Sequence, residues 1–178
     1  PQGRVARIDP ATNAILATIA VAPETWYLAA GFDAVWAVSS EGRLLQRIDP
    51  AANAVSGKAE LGDTPGFLAA GEGAVWVQEQ GDGTVAKVDP SSLGIAGRTK
   101  IGDNLKWGDI DTGGGAVWLR TTDQQTMVVI DPATLKIRAR MGPAVGSGAL
   151  RWTPAGVWTS AHDNQTLSWW STPAPAAP

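Results

Sequence analysis

The chain has 178 residues, 44% of them hydrophobic and 17% charged, with a net charge of −3. That size and balance suit an ordinary soluble globular domain with a real core, and without a basic excess no nucleic-acid partner is expected. No apolar run approaches the roughly 20 residues of a membrane span, and the absence of cysteine excludes disulfides, thiolate zinc sites and cysteine nucleophiles.

The chain begins at Pro1 without a methionine, which reads as a processed product or a fragment. The first predicted strands are Val5 to Ile8 and Ile15 to Ile19, joined through Asp9-Pro10. A four-strand unit follows. Its first strand is Trp26-Tyr27-Leu28-Ala29-Ala30, its second Ala34-Val35-Trp36-Ala37-Val38 and its third Leu44-Leu45-Gln46-Arg47-Ile48. The next unit repeats this with Gly66 to Ala70, Ala74 to Val77 and Thr84 to Val88. The third unit offers Met127 to Ile130 as third strand and Lys136 to Met141 as a polar fourth, suited to an outer edge that resists aggregation. The last predicted strands are Ala149 to Trp152, Gly156 to Trp158 and Thr166 to Trp170. A Pro/Ala-rich tail, residues 171–178, closes the chain.

The second strands are apolar on both alternating faces, so both should be covered, as when sheets stack. Gly31, Gly71 and Gly113 fall between first and second strands, where we expect positive φ. Asp-Pro joins third to fourth strands: Asp caps the turn and Pro presets φ.

These units are copies of one pattern. An (Ala/Gly)-Val-Trp triplet ends at Trp36, Trp76, Trp118 and Trp158, spaced by 40, 42 and 40 residues. An (Ile/Val)-Asp-Pro signal recurs at Asp9-Pro10, Asp49-Pro50, Asp89-Pro90 and Asp131-Pro132. Self-similarity at about 40–45 residues marks a propeller of four-stranded blades. The expected fold is therefore all-β, a β-propeller over residues 1–170 with about four antiparallel blades and partial ones at either end. Propellers have roughly four to eight blades. Three arrangements fit: a closed four-bladed ring, a half-ring completed by self-association, or an arc of a longer propeller. The triplet tryptophans are read as packing residues between blades, and Trp169 and Trp170 as needing cover from a strand edge.

The run from Arg7 to Val21, Arg-Ile-Asp-Pro-Ala-Thr-Asn-Ala-Ile-Leu-Ala-Thr-Ile-Ala-Val, resembles the bacterial YVTN-type β-propeller repeat. The continuation through Leu28-Ala29-Ala30-Gly31 to Ala34-Val35-Trp36 is similar too, and the likeness extends to about Trp158. The resemblance implies kinship with surface-layer-like, lactonase-like and virginiamycin B lyase-like propellers, many of them exported, and so an extracytoplasmic location. The lyase family is expected to use histidines, a glutamate and a divalent metal. This chain has one histidine, His162, so that chemistry is not expected, and no cofactor or metal is assigned.

Candidate ligand-binding residues come from the break in the repeat. The third complete unit is two residues longer, in Gly102-Asp103-Asn104-Leu105-Lys106-Trp107-Gly108-Asp109. There Asp109 takes the place of Tyr27 and Phe67, and Asp111 replaces an alanine. Loops on rigid scaffolds are frequent sites of recognition. Lys106, Trp107, Asp109 and Asp111 are therefore read as a polar recess, with Trp26, Tyr27 and Trp152 as aromatic walls. Asp109-Ile110-Asp111-Thr112-Gly113 is a faint match to a calcium loop, but position 12 is Arg120 where a glutamate is needed. The expected function is non-catalytic binding of a small molecule, glycan or protein. The alternatives are a metal-assisted lyase or lactonase-like enzyme, which would need His162 and two carboxylates to converge, and a purely structural or assembly segment.

Overall fold

In a computed structural model, residues 2–105, 108–121, 127–142 and 148–171 are described. In chain order they form β1 (Arg4–Ile8), β2 (Ile15–Ala20), β3 (Thr25–Gly31), β4 (Ala34–Ser39), β5 (Leu44–Asp49) and β6 (Ala54–Glu60). Then come β7 (Pro65–Gly71), β8 (Ala74–Glu79), β9 (Thr84–Val88), β10 (Ile95–Lys100), β11 (Ile110–Gly113) and β12 (Ala116–Arg120). The last are β13 (Met127–Ile130), β14 (Ile137–Met141), β15 (Leu150–Thr153), β16 (Gly156–Ala161) and β17 (Thr166–Trp170). Each sheet is an antiparallel meander of consecutive strands: β1-β2, β3 to β6, β7 to β10, β11 to β14 and β15 to β17. The chain divides into two compact units, Pro1–Leu105 and Lys106–Pro178.

The Asp-Pro signals make the turns the sequence implies. Oδ1 of Asp9, Asp49, Asp89 and Asp131 accepts the N–H two residues on, at 2.9, 2.7, 2.9 and 2.8 Å. The fourth residue after each Asp is left-handed: Asn13, Asn53, Leu93 and Leu135 have φ of 58°, 52°, 63° and 60°. The Thr134 N–H and the Arg138 guanidinium hold the Asp131 carboxyl down at about 2.

Inside the first unit, Trp36, Val38 and Leu45 of one sheet pack on Leu68, Val75, Val77 and Ala86 of the next. Ile19 of the β1-β2 sheet packs on Ala37 and Ile48. Inside the second unit, Trp118, Met127 and Val129 meet Leu150 and Val157. Three triplet indoles are buried, and each donates to the carbonyl five residues earlier: Trp36 to Gly31 at 2.9 Å, Trp76 to Gly71 at 3.0 Å, Trp118 to Gly113 at 2.9 Å. The fourth departs from expectation. Trp158 is 42% exposed, since its sheet packs on β11 to β14 through Leu150 and Val157, and neighbouring residues of a strand face opposite ways. Trp169 is likewise exposed, whereas Trp170 donates to Thr159 Oγ1 at 2.8 Å.

The glycine expectation needs correcting in the same region. The positive φ values of the β3-β4 and β7-β8 hairpins fall one residue later, at Phe32 and Asp33 (55° each) and at Glu72 and Gly73 (48° and 77°). Gly31 is instead required by close approach, since a Cβ there would lie 2.8 Å from the Ala70 Cβ of the neighbouring sheet. At Gly113 the expected positive φ is present, at 157°, and a Cβ would in addition run into the Trp152 ring.

Left-handed pairs favour Asn-Gly, and a left-handed bulky residue costs about 1–2 kcal/mol. Replacing Phe32-Asp33 by Asn-Gly should therefore stabilise the fold by about 1 kcal/mol. The denaturant midpoint should rise at an unchanged slope.

Candidate functional site

Of the two carboxylates singled out in the sequence, Asp111 lies on β11 and Asp109 immediately precedes it, and both are occupied. Asp109 is buried. Its Oδ1 accepts its neighbour's Ile110 N–H at 2.9 Å, and its Oδ2 accepts the Leu150 N–H at 3.1 Å and Arg151 Nη1 at 2.9 Å. Asp111 Oδ1 accepts the Thr112 N–H and its Oδ2 the Trp152 N–H, both at 2.9 Å. The i, i+2 spacing puts both side chains on one face of the strand, and both reach alternate N–H groups of β15. Those donors lie on the side of β15 that does not pair with β16. Buried or half-buried backbone donors need acceptors, and Asp109 and Asp111 supply them.

Trp152 stands beside them on β15, half-buried over Gly113 and Gly114, with its indole N–H facing no acceptor among the described residues. Lys106 and Trp107 lie outside the described residues.

In the first unit, Tyr27 and Trp26 point to opposite faces of β3. Tyr27 turns toward the neighbouring sheet and packs on Phe67, ring centroids 4.4 Å apart with planes tilted at 45°. Burial raises its phenol pKa. Trp26 turns away and is 59% exposed, its Nε1 donating to Glu24 Oε2 at 3.0 Å. Leu28, next on that face, is 51% exposed.

Trp26 occupies a position held by glycine in the other copies: Gly66, Gly108 and Gly148. A Cβ at Gly108 would collide with the Arg120 carbonyl, and one at Gly148 with the Ser160 carbonyl. A Cβ at Gly66 would meet the Gln80 side chain. In the first copy the register shifts between Thr25 and Tyr27, and Ser40 stands where Gln80 would be. The register shifts at the same place in the second copy, between Pro65 and Leu68, so it is the smaller Ser40 side chain that leaves room for the indole.

Sequence reasoning missed Glu79. The predicted second strand stopped at Val77, but β8 continues to Glu79, whose side chain is fully buried. Its carboxylate accepts the Gly62 N–H at 2.7 Å, Thr84 Oγ1 at 2.6 Å, and Arg98 Nε and Nη2 at 2.8 and 2.9 Å. Burial pushes its pKa up, but the Arg98 fork, Thr84 and Gly62 more than offset this and hold it below the usual range. The only sequence signal was a charge in register with Ser39, following Gln78 at the end of a strand that is apolar as far as Val77.

His162 is exposed in the β16-β17 turn, and no three metal-ligating side chains converge among the described residues.

No family model and no curated protein matches the chain by sequence. Solved structures do match in fold. Virginiamycin B lyase from Staphylococcus aureus aligns over 96% of this chain and 64% of its own, at 16% identity and a TM-score of 0.75. BamB from Moraxella catarrhalis aligns over 99% of this chain and 54% of its own, at 17% identity and 0.78. A chain of the mitotic checkpoint complex aligns over 97% and 57%, at 16% identity and 0.83. All three are β-propeller proteins.

This chain is a β-propeller.

Its four-stranded sheets are propeller blades, with β3, β7, β11 and β15 as first strands. The chain spans between about half and two thirds of each of those three proteins. At such low identity the likeness is one of fold, and the propeller fold carries many unrelated functions.

Proposed function

We propose that the chain is a non-catalytic propeller interaction module that binds an apolar protein surface through the outward face of β3. The observation that carries this reading is Trp26: an exposed indole, fixed by Glu24, where the other copies have glycine. Indoles are enriched at protein interfaces because they bring large apolar area with few torsions. Leu28 extends the surface along the strand. Asp109 and Asp111 take a scaffolding role in this reading, since their oxygens are already held by β15. An extracytoplasmic location belongs to the same proposal and is supported by the YVTN-like repeat.

The test uses the dye bis-ANS, which fluoresces on apolar protein surfaces, at low protein concentration. Folded protein should bind it, and Trp26→Ser should remove about half or more of the signal. That variant should unfold within about 0.5 kcal/mol of the parent, as expected for an exposed site. Unchanged dye binding in the folded variant would overturn the proposal. So would divalent-metal-dependent turnover of a lactone that requires His162.

A further inference from the structure

The repeat supplies its own template for what should cover the exposed faces. At the seam inside the first unit, Trp36 and Val38 bury Leu68 of the next blade. Leu28 is the copy of Leu68, yet it is 51% exposed, and Trp158 is the copy of Trp36, yet it is 42% exposed. One chain thus carries both halves of a seam it builds elsewhere, and both halves are uncovered.

The strand patterns agree. The β1-β2 sheet has the sequence of a third and fourth strand, with Arg7-Ile8-Asp9-Pro10 repeated as Arg47-Ile48-Asp49-Pro50. It packs on the outer part of the β3 to β6 blade, through Ile19 against Ala37 and Ile48, and leaves β3 bare. β15 and β16 have the sequence of a first and second strand, the pair that would cover β3. The third-strand place beside β16 is held by β17, which leaves Leu167 and Trp169 exposed and has no Asp-Pro after it.

We propose that a second copy of this chain completes the seam. β15 and β16 of one protomer insert beside β1 of its partner, β1 replaces β17, and Trp158 covers the partner's Leu28 and Trp26. The resulting blade is composite, two strands from each protomer. This rests on the reading of β3 as an interaction surface and names the partner. The contact is head-to-tail, and such contacts close into a ring when the rotation allows. Each protomer brings three whole blades and half of each composite one, so a two-protomer ring counts eight blades, within the range known for propellers.

The register follows from β4 and β5, where Ala37 faces Gln46 and Trp36 faces Arg47. The equivalent composite pairs are Thr159 with Ala6 and Trp158 with Arg7. In the single chain, Thr159 faces Ser168 instead. The chain contains no cysteine, so introduced pairs are unambiguous, and directly opposed strand residues have the spacing a disulfide needs.

Ala6→Cys and Thr159→Cys proteins should be made separately, mixed at high concentration and mildly oxidised. A cross-linked species at twice the 18.5 kDa of one chain, well above the yield of either variant alone, is the expected result. Thr159→Cys/Ser168→Cys, which ties β17 to β16, should abolish dimerisation of the otherwise native chain. Three outcomes would overturn the proposal: no mixed cross-link, an Ala6→Cys/Thr159→Cys chain that locks within itself at single-chain mass, or a dimer that persists with β17 tied down. Light scattering of the native chain gives an answer that needs no variant, with mass doubling as concentration rises and bis-ANS signal per chain falling in step. A chain that stays monomeric while Trp26→Ser still removes dye binding would refute self-pairing alone. Loss of the Trp26 dependence would remove the parent reading as well.

Discussion

Trp36→Ala should cost about 3–5 kcal/mol of stability, whereas Trp158→Ala should cost less than about 1 kcal/mol at concentrations where the chain is monomeric. The residues are copies of one another, so the contrast isolates environment from chemistry. Trp36 is fully buried, packs into a seam with Leu68, Val75 and Val77, and donates to the Gly31 carbonyl at 2.9 Å. Removing it leaves a cavity that neighbouring sheets fill only in part, and it deprives a part-buried carbonyl of its donor. Trp158 is 42% exposed and makes no such bond among the described residues. Urea unfolding of the two variants settles the matter. Equal losses would mean that Trp158 is covered in the monomer and that the open face is misread.

Glu79→Ala is expected to cost about 3 kcal/mol, at the low end of the range for breaking a buried ion pair. The low end applies because the Arg98 side chain is 42% exposed and can rehydrate. The Gly62 and Thr84 donors, in part-buried bonds, would also lose their acceptor. Linkage gives a second signature. The folded pKa of Glu79 lies below its unfolded value of about 4.3. Its contribution is therefore complete above that unfolded value and is lost as pH falls through the folded one. Wild-type stability should drop through that acid window, and Glu79→Gln should flatten the drop. The same slope in both proteins would show that other carboxylates dominate acid unfolding.

How much of this was readable beforehand depends on what each residue answers to. The Asp-Pro turns were legible because they are local: Asp9 bonds within its own turn, and its copies do the same. The blade order was legible because the triplets recur in register. Gly31 and Gly113 were half legible. Their hairpins were placed correctly, but their reason is a neighbouring blade's Ala70 or Trp152, and nothing local announces an approach between segments about 40 residues apart. The exposure of Trp158 was hidden for the same reason, since a repeat pattern describes what a residue needs and not whether a neighbour is there to provide it. Glu79 escaped because its partners, Gly62 and Arg98, lie 17 and 19 residues away on different strands. Of the recess read around the long loop, the repeat showed Asp109 and Asp111 breaking the pattern but not what their carboxylates bind. Only coordinates show their carboxylates reaching the β15 backbone.

The meander topology has a consequence for synthesis. Every sheet draws on consecutive strands, so each pairing partner leaves the ribosome within a few tens of residues of its mate. Loop closure over such short spans is cheap in entropy, and quasi-linear repeats can nucleate anywhere and propagate. Each four-stranded layer can thus set while the next is still being translated, an ordering unusual for an all-β chain with distant pairings. Nascent-chain pulling measurements should accordingly register a series of separate folding events, about one for every 40 codons.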